Sequence, residues 1–438
     1  MATQGLPRHR YDRPRRELTS GVTPTLDTFQ TDGPGLPDSD SATFVTTMAH
    51  ALGTYGTPAH RLEDALETVS KRLGIEGQFF AMPTAVFAAL RVPPGKPQTS
   101  LIRVHPGEVH LERLVELDEI LVDVADAKIG PDEGVRRIEA AIATPDRYGP
   151  VMTVLCLGVA SACAGRFFGG GIGEITGAGI AGLFIGLLGL FAARRRDLAR
   201  LIDFLCGLII SFGAISASRT IAPISPEILT IAGLVVFFPG LTLTMAVNEL
   251  ATRNLVAGTA RLMSALTVLV SIGFGVALGT KLADMTLPTA EPINPVAQLP
   301  GWTLYVAILI SGVALSVLFR ARPKDIPAIV LSGLIAFFGA SYGRAELGPE
   351  LGACIGAAAM GLYANIYSRV ARRPAAVPAM VGVMLLVPGS LSFKSMSSFL
   401  AHDAVGGLET AFTTVLIAMS LAVGFLLSNV AVPPRRAL

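Results

Sequence analysis

The chain has 438 residues, of which 51% are hydrophobic and only 16% are charged, and its mean hydropathy is +0.57. Because a soluble protein carries roughly 25% charged residues, this composition excludes an ordinary soluble domain and indicates a membrane protein. The formal net charge of +2 indicates no nucleic-acid partner, and the charges concentrate in the first 150 residues, which predicts a soluble head followed by a membrane body.

The segment 1–40 is rich in Pro, Gly, Ser, Thr and Asp. Such a composition buries too little apolar surface to fold, so we predict a disordered tail. No apolar stretch follows its basic beginning, and we therefore expect no secretory signal there.

The pattern of residues 41–148 predicts a small cytosolic α+β domain, the head. Thr57 and Pro58 predict a helix start, with threonine as the N-cap and proline in the first turn, and Gly74 predicts the helix end. Three short strands are predicted over GQFFAMPT, AVFAALRV and TSLIRVHP. Two amphipathic helices follow, over 111 to about 127 and 131 to about 143, and the head is long enough to bury its own core.

The candidates in the head for catalytic or metal-binding chemistry are His60, Glu63, His105, Glu108 and His110. His105 and His110 are five residues apart, and no third metal ligand lies at a useful spacing from them. We therefore interpret all five side chains as solvated helix and loop residues. All four cysteines lie in apolar segments, as buried small hydrophobes do. We therefore predict no enzymatic activity, no metal site and no cofactor.

From residue 151 onward the sequence predicts ten membrane helices, with apolar stretches of about 16–24 residues that suit a bilayer core of about 30 Å. The predicted spans are 151–168, 174–193, 201–218, 226–247, 258–280, 302–319, 326–343, 350–369, 376–393 and 408–429.

Basic residues in the loops on the head side outnumber those on the other side by 13 to 5, which predicts a cytoplasmic head and cytoplasmic termini. The longest outside loop, 281–301, divides the body into two sets of five spans. We therefore predict two repeats, 149–281 and 302–438, joined by an extracytoplasmic linker over 282–301. Because five is odd, homologous sets of five must cross the membrane in opposite senses, as an inverted repeat.

Pro-Gly occurs in matching positions of the two halves, at Pro239-Gly240 in LVVFFPGLTL and at Pro388-Gly389 in VMLLVPGSLS. Proline interrupts a helix and leaves a backbone group without its hydrogen bond. Lipid cannot supply a hydrogen-bond partner, whereas a cavity lined by protein or water can. Helices broken at equivalent points of two halves indicate a transporter's binding site. We therefore predict that substrate binds at these breaks.

Two hydroxyl residues follow each break. They are Thr242 and Thr244 in the first half and Ser390 and Ser392 in the second. Such side chains often bond back to their own helix. These lie where a half-helix N-terminus would present free N–H groups, which bind carboxylates, so we count all four as predicted substrate-binding residues.

Five further polar side chains lie in or beside the spans, where such groups are functional candidates by default. Asn248, Asn365 and Lys394 are predicted substrate-binding residues, and Glu249 and Asp203 are predicted proton-coupling residues. The alternatives stay open: the three ionisable groups also suit the membrane interface, and Asn365 also suits hydrogen bonding between helices.

The segments GTPAHRLEDALETVSKRLG, FFPGLTLTMAVNEL and LVPGSLSFKSM resemble the threonine/serine exporter family, and the similarity extends from about residue 41 over nearly the whole chain. The resemblance implies a ten-span carrier that exports threonine and serine, driven by the proton motive force. We accordingly expect the plasma (inner) membrane of a bacterium. The resemblance also implies relatives in which the head with five spans and the other five spans are separate proteins. One such pair is associated with dicarboxylate export. In the family an acidic residue follows the first Pro-Gly segment and a basic residue follows the second. Glu249 and Lys394 match these positions, so the resemblance implies a functional role for both.

We therefore expect a proton-coupled secondary exporter of threonine and serine that alternates access between the two repeats. Its partners would be the small solute, protons and lipids, and an oligomer is possible. Three alternatives remain: export of small dicarboxylates such as succinate, a passive or gated channel, and a membrane-tethered enzyme. The tract FGGGIGEITGAG lacks the Gly-Lys-Ser/Thr ending of a phosphate loop, so nucleotide-driven transport is not expected.

Overall fold

The computed structural model describes residues 40–92, 95–221, 223–288, 299–386, 389–400 and 402–434, without the side chain of Arg196. The predicted disordered tail therefore lies outside the described residues, except for its last position. That position, Asp40, begins a helix that the sequence analysis did not predict.

The head is an α+β unit built around a three-stranded antiparallel sheet in the order β1-β2-β3. The three predicted strands are confirmed, and their register pairs Phe80 with Phe87 and Val86 with Ile102. Both amphipathic helices after the sheet are confirmed, with small shifts at their ends. In chain order the elements are α1 (Asp40–Thr54), α2 (Ala59–Arg72), β1 (Glu76–Met82), β2 (Ala85–Arg91), β3 (Gln98–Arg103), α3 (Leu111–Ala125) and α4 (Pro131–Ala143).

The core of the head continues into the membrane body. Head residues such as Leu66 and Leu117 belong to one buried apolar cluster with Ala257, Ile329 and Val381, which lie on body helices. The head therefore buries part of its apolar surface against the body. Removal of this apolar area from water stabilises the contact between the two.

The body is helical throughout its described part. In chain order its helices are α5 (Pro150–Phe167), α6 (Ile172–Ala192), α7 (Arg196–Ala199), α8 (Ile202–Thr220), α9 (Pro226–Leu234), α10 (Gly240–Ala251), α11 (Leu255–Thr286), α12 (Trp302–Leu318), α13 (Ile326–Leu347), α14 (Pro349–Ala371), α15 (Ala376–Leu386), α16 (Gly389–Leu400) and α17 (Ala404–Ala431). Helix α11 continues to Thr286, past the predicted end of the first repeat at 281, and the bounds of the two repeats and the linker stay a prediction.

Eight stretches within the described ranges are long and apolar enough to cross a membrane, with α15 and α16 counted as one. The pair α9 and α10 passes the same criteria together but bends by 58° at its break, and α12, at 17 residues, is shorter. A polytopic membrane protein is thus shown, whereas the count of ten spans stays a prediction. Large apolar side chains such as Ile180, Phe274 and Val430 face outward, as lipid-facing residues do.

The two halves repeat the same helix contacts. Helix α8 packs along α11 as α14 packs along α17, and α6 packs on α9 as α13 packs on α15. A left-handed residue ends the helix after each break, Arg253 at φ 66° and His402 at φ 63°, and a long helix follows both. This correspondence supports the inverted repeat, which stays a prediction.

The two breaks lie against each other. Helix α9 ends in a 3-10 turn over Val235–Phe237, and α10 begins after Pro239. A methyl group built on Gly389 would lie 3.2 Å from Phe238 Cβ and 3.5 Å from Gly240 Cα. Beside this contact the rings of Phe238 and Phe393 stack with centroids 4.8 Å apart. Pro388 lies outside the described residues.

Candidate solute cavity

The N-terminus of α2 points into the membrane body. Pro58, not Thr57, is the N-cap of this helix, which begins at Ala59. The Thr57 side chain makes no capping hydrogen bond, so the predicted cap is wrong. Instead, the Ala59 N–H donates a 3.0 Å hydrogen bond to Oε1 of Glu249 on α10. A carboxylate of the body therefore satisfies a free N–H at the positive end of a head helix.

Glu249 is completely buried and forms an ion pair with Arg261 of α11. The Arg261 Nε lies 3.1 Å from Oε1 and 3.0 Å from Oε2 of the carboxylate. A buried carboxylate needs such a partner, because a charge removed from water without one is very costly. Arg261 is not among the predicted site residues, although an arginine inside a predicted span was itself a signal of function.

A second contact joins the head to the turn between α12 and α13. The Leu111 and Glu112 N–H groups donate to the carbonyl oxygens of Phe319 and Arg320 at 2.9 and 3.1 Å. The Arg320 side chain pairs with Glu108 and Asp146, at 3.2 and 3.0 Å respectively. The neighbouring Arg322 faces three acidic residues of α3, namely Glu112, Glu116 and Glu119.

A cavity of about 390 Å³ is lined by α2 and α3 of the head and by α10, α14, α15 and α17 of the body. Its apolar walls include Met380, Val383 and Phe425. Its polar lining combines a guanidinium, a carboxylate, an imidazole and three amides, from Arg61, Asp64, His60, Asn248, Asn365 and Asn429. A concave, mostly apolar space with a few convergent polar groups is the usual form of a small-molecule site.

The head supplies the titratable groups of this lining. Burial lowers the pKa of His60 to about 4, with a smaller contribution from Arg61. The imidazole is therefore neutral at pH 7, and no described residue accepts or donates a hydrogen bond at its Nδ1. Burial also lowers the pKa of the Arg61 guanidinium, while Asp64 opposes that shift.

The body supplies polar groups that are already partly satisfied. The Asn365 Nδ2 donates to Oδ1 of Asn429 at 2.9 Å and to the Ser428 carbonyl at 3.4 Å. This hydrogen bond between α14 and α17 is the alternative role open to Asn365 in the sequence analysis. Thr244 donates from its Oγ1 to the Gly240 carbonyl of its own helix at 3.0 Å, which leaves the hydroxyl oxygen as an acceptor.

The cavity brings together three of the predicted site residues, Thr244, Asn248 and Asn365. Thr242 lies instead beside Arg261 on a smaller cavity of about 100 Å³ between α10 and the head. The other described members of the predicted set lie outside the lining of the main cavity, and they are Pro239, Gly240, Gly389, Ser390, Ser392, Lys394, Glu249 and Asp203.

Packing explains several of these positions. The glycines of the breaks contact each other, which leaves no space for a solute between them. Ser392 is buried, whereas Lys394 is exposed. Asp203 lies half-buried in the first turn of α8, where a carboxylate suits the helix dipole. Glu249 holds the head in place, and its predicted role as a proton carrier stays a prediction.

Two family models match the chain. One, described as "Putative threonine/serine exporter", matches residues 43–283, and the other, described as "Threonine/Serine exporter, ThrE", matches residues 304–431. The two matches divide the chain near the linker between its halves. No solved structure matches the chain.

Several curated proteins from fungi are similar to the chain, all with the name pheromone-regulated membrane protein 10. The one from Pichia sorbitophila is 26% identical over 320 residues, which cover 68% of this chain and 31% of the relative. The one from Saccharomyces cerevisiae is 26% identical over 292 residues, covering 66% and 38%, and that from Eremothecium gossypii is 27% identical over 298 residues, covering 66% and 39%. The chain thus spans about a third of the length of these relatives.

These relatives overturn the predicted location. The expectation of a bacterial inner membrane is wrong, because the curated relatives described above are membrane proteins of yeasts and related fungi. The expectation followed from the family resemblance alone. The multi-pass membrane character of the chain is retained.

Proposed function

Since the chain belongs to the threonine/serine exporter family, we propose that it is a secondary transporter of small hydrophilic amino acids, threonine and serine first. The observation that carries this proposal is the cavity between α2 and the body. Its volume of about 390 Å³ lies within the range of roughly 300–1,000 Å³ that small-molecule sites occupy.

The lining suits a zwitterion. A guanidinium such as that of Arg61 forms two parallel hydrogen bonds to a carboxylate, and the Asp64 carboxylate suits an ammonium group. The amides of Asn248 and Asn429 each offer a donor and an acceptor for a side-chain hydroxyl. A site that hydrogen-bonds a hydroxyl discriminates strongly against an analogue that lacks it, because its own polar groups are then left unpaired.

The proposed route alternates access through movement at the two breaks. Helices α10 and α16 begin at these breaks and contact each other, and α10 contributes Thr244 and Asn248 to the cavity. A shift of one half against the other would therefore move the cavity wall directly. In this scheme the solute leaves the compartment that contains the head, and a proton moves in the opposite direction, with Asp203 and Glu249 as the proposed carriers.

Transport into proteoliposomes tests this proposal. The purified full-length chain is reconstituted and given labelled threonine, serine or succinate, with and without a pH gradient. We expect saturable uptake of threonine and serine that a pH gradient drives and that unlabelled solute on the opposite side accelerates. Accelerated exchange is expected of a carrier and not of a pore.

The matched variants are Arg61→Gln, within the cavity, and Arg72→Gln, at the exposed end of the same helix. Loss of charge-assisted hydrogen bonds predicts a roughly 10- to 100-fold lower kcat/KM for Arg61→Gln and no change for Arg72→Gln. Uptake of succinate in place of amino acids would instead establish the dicarboxylate alternative, and uptake without exchange acceleration would establish a channel.

A further inference from the structure

The N-terminus of α2 has free backbone donors. This helix has 14 residues, and its N-cap, Pro58, has no side-chain acceptor. Of the N–H groups at this end of α2, Glu249 accepts only that of Ala59, and within the described ranges the next two, those of His60 and Arg61, have no acceptor. Both of these residues line the main cavity. Free N–H groups at the positive end of a helix favour an anion.

Thr57 provides a second and independent indication of a ligand. Its side chain is 6% exposed, and its Oγ1 has no hydrogen-bond partner in the described part of the chain. The residue lines both the main cavity and the smaller one beside it. Buried hydroxyl groups are normally hydrogen-bonded, so an unpaired one at the wall of a cavity indicates a partner that the protein itself does not supply.

The charges around this helix end also favour a carboxylate. Arg61 lines the cavity and makes no side-chain hydrogen bond or ion pair within the described ranges. The nearest buried anion, Glu249, already has its charge balanced by Arg261. A second carboxylate at the N-terminus of α2 would therefore meet the helix dipole and the Arg61 guanidinium, and Asp64, which also lines the cavity, would face the ammonium group of a zwitterionic solute.

We propose that Thr57, the free N–H groups of α2 and Arg61 form a carboxylate-binding site, so that the head holds the carboxylate of the transported solute. This inference rests on the proposed function and deepens it, because it assigns recognition to a soluble helix rather than to the breaks in the membrane helices. Both an α-amino acid and a dicarboxylate carry a carboxylate that such a site would bind. The amide of threonine, which lacks the carboxylate, distinguishes this site from one that recognises the ammonium or the side chain.

Calorimetric titration of the purified full-length chain in detergent tests the site. The probes are threonine, threoninamide and succinate, and the variants are Thr57→Val and Thr68→Val. Valine replaces the hydroxyl with a methyl group of similar size, and Thr68 is exposed on the same helix. We expect Thr57→Val to weaken binding of threonine or succinate about tenfold, and Thr68→Val to leave it unchanged. Threoninamide should bind much more weakly than threonine to the unaltered chain.

Equal affinity for threonine and threoninamide, or equal affinity of Thr57→Val and the unaltered chain for every carboxylate probe, would overturn the site. Succinate bound more tightly than threonine, with the same dependence on Thr57, supports the site and identifies a dicarboxylate as the solute. Carboxylate binding that depends on Thr57, without transport in proteoliposomes, would support the site and refute the proposed function. Transport that persists unchanged in Thr57→Val would overturn the site while the proposed function stands.

Discussion

A single buried carboxylate joins the head to the body. Glu249 accepts the Ala59 N–H of the head and pairs with Arg261, so three elements share one charge. Removal of one partner from a buried ion pair leaves the other charge without compensation, which costs about 3–5 kcal/mol. The acid after the first break is thus a docking residue in this structure.

We predict that Glu249→Gln lowers stability by about 3 kcal/mol, because glutamine still accepts the Ala59 N–H but leaves Arg261 unpaired. The double variant Glu249→Gln with Arg261→Gln should be less destabilised than Glu249→Gln alone. Thermal unfolding in detergent measures both. The single variant Arg261→Gln completes the cycle. If the stability loss of the double variant equalled the sum of the losses in the two single variants, the two side chains would not be energetically coupled.

His60 gives the head a dependence on pH. Its folded pKa is about 4, whereas an unfolded histidine has a pKa near 6.5, so the unfolded chain binds the extra proton between these values. Stability is therefore lost as pH falls from about 6.5 toward about 4. Burial also lowers the pKa of His50 and His110, which adds to the effect.

We predict that the melting temperature of His60→Gln decreases less between about pH 6.5 and about pH 5 than that of the unaltered chain, since glutamine takes up no proton. His105→Gln is the control, because His105 is exposed in the loop after β3. An identical pH profile for His60→Gln and the unaltered chain would contradict the assignment.

At the scale of elements, the two broken helices depend on close contact between glycines. Gly389 leaves room for Phe238 and Gly240, and the stacked rings of Phe238 and Phe393 cover the same junction. Because α10 contacts α16 and forms part of the cavity wall, a change in the spacing between these two helices would move that wall. We propose that the breaks act as a joint that moves beside the site.

We predict that Gly389→Val separates α10 from α16, costs about 1–3 kcal/mol of stability and slows transport more than it weakens solute binding. The control is Gly213→Val in α8, because a methyl group there would meet no atom within 4 Å. Melting temperature, calorimetry and proteoliposome uptake together separate the three effects. Transport at the normal rate in a stably folded Gly389→Val protein would show that the joint does not move.

At the scale of the whole molecule, head and body form one folded unit. They share an apolar cluster, and acidic residues of α3 face the basic turn between α12 and α13. Arg322 alone faces three carboxylates with only 12% of its side chain exposed. The head is therefore held over the cavity by charge as well as by packing.

We predict that Arg322→Glu loosens the head, because a fourth carboxylate would repel the three already there. The segment between α4 and α5 should then be cleaved faster in limited proteolysis, and added salt should reduce the difference by screening. Arg194→Glu, exposed at the end of α6, is the control. Equal cleavage of both variants would show that charge does not hold the head.

The sequence allowed much of this architecture to be predicted, because apolar length and period determine helices locally. Each predicted span overlaps a helix or a broken pair of helices, and all three strands of the head are present. Helix α1 was missed because Asp40 begins it at the edge of a polar tail. The cavity was missed because it forms between segments far apart in sequence. The partners of Glu249 and the position of Thr57 at the cavity wall therefore become visible only in three dimensions.

Protection of a cavity cysteine by solute tests the central claim most directly. The four native cysteines are replaced by alanine, and Ala379→Cys, on the cavity wall, is compared with Thr68→Cys, on the exposed face of α2. We predict that threonine slows alkylation of the first cysteine in a saturable manner and leaves the second unchanged, with half-protection near the concentration that half-saturates transport. Equal alkylation of Ala379→Cys with and without saturating threonine, in protein that still transports it, would contradict the proposal that the solute passes through this cavity.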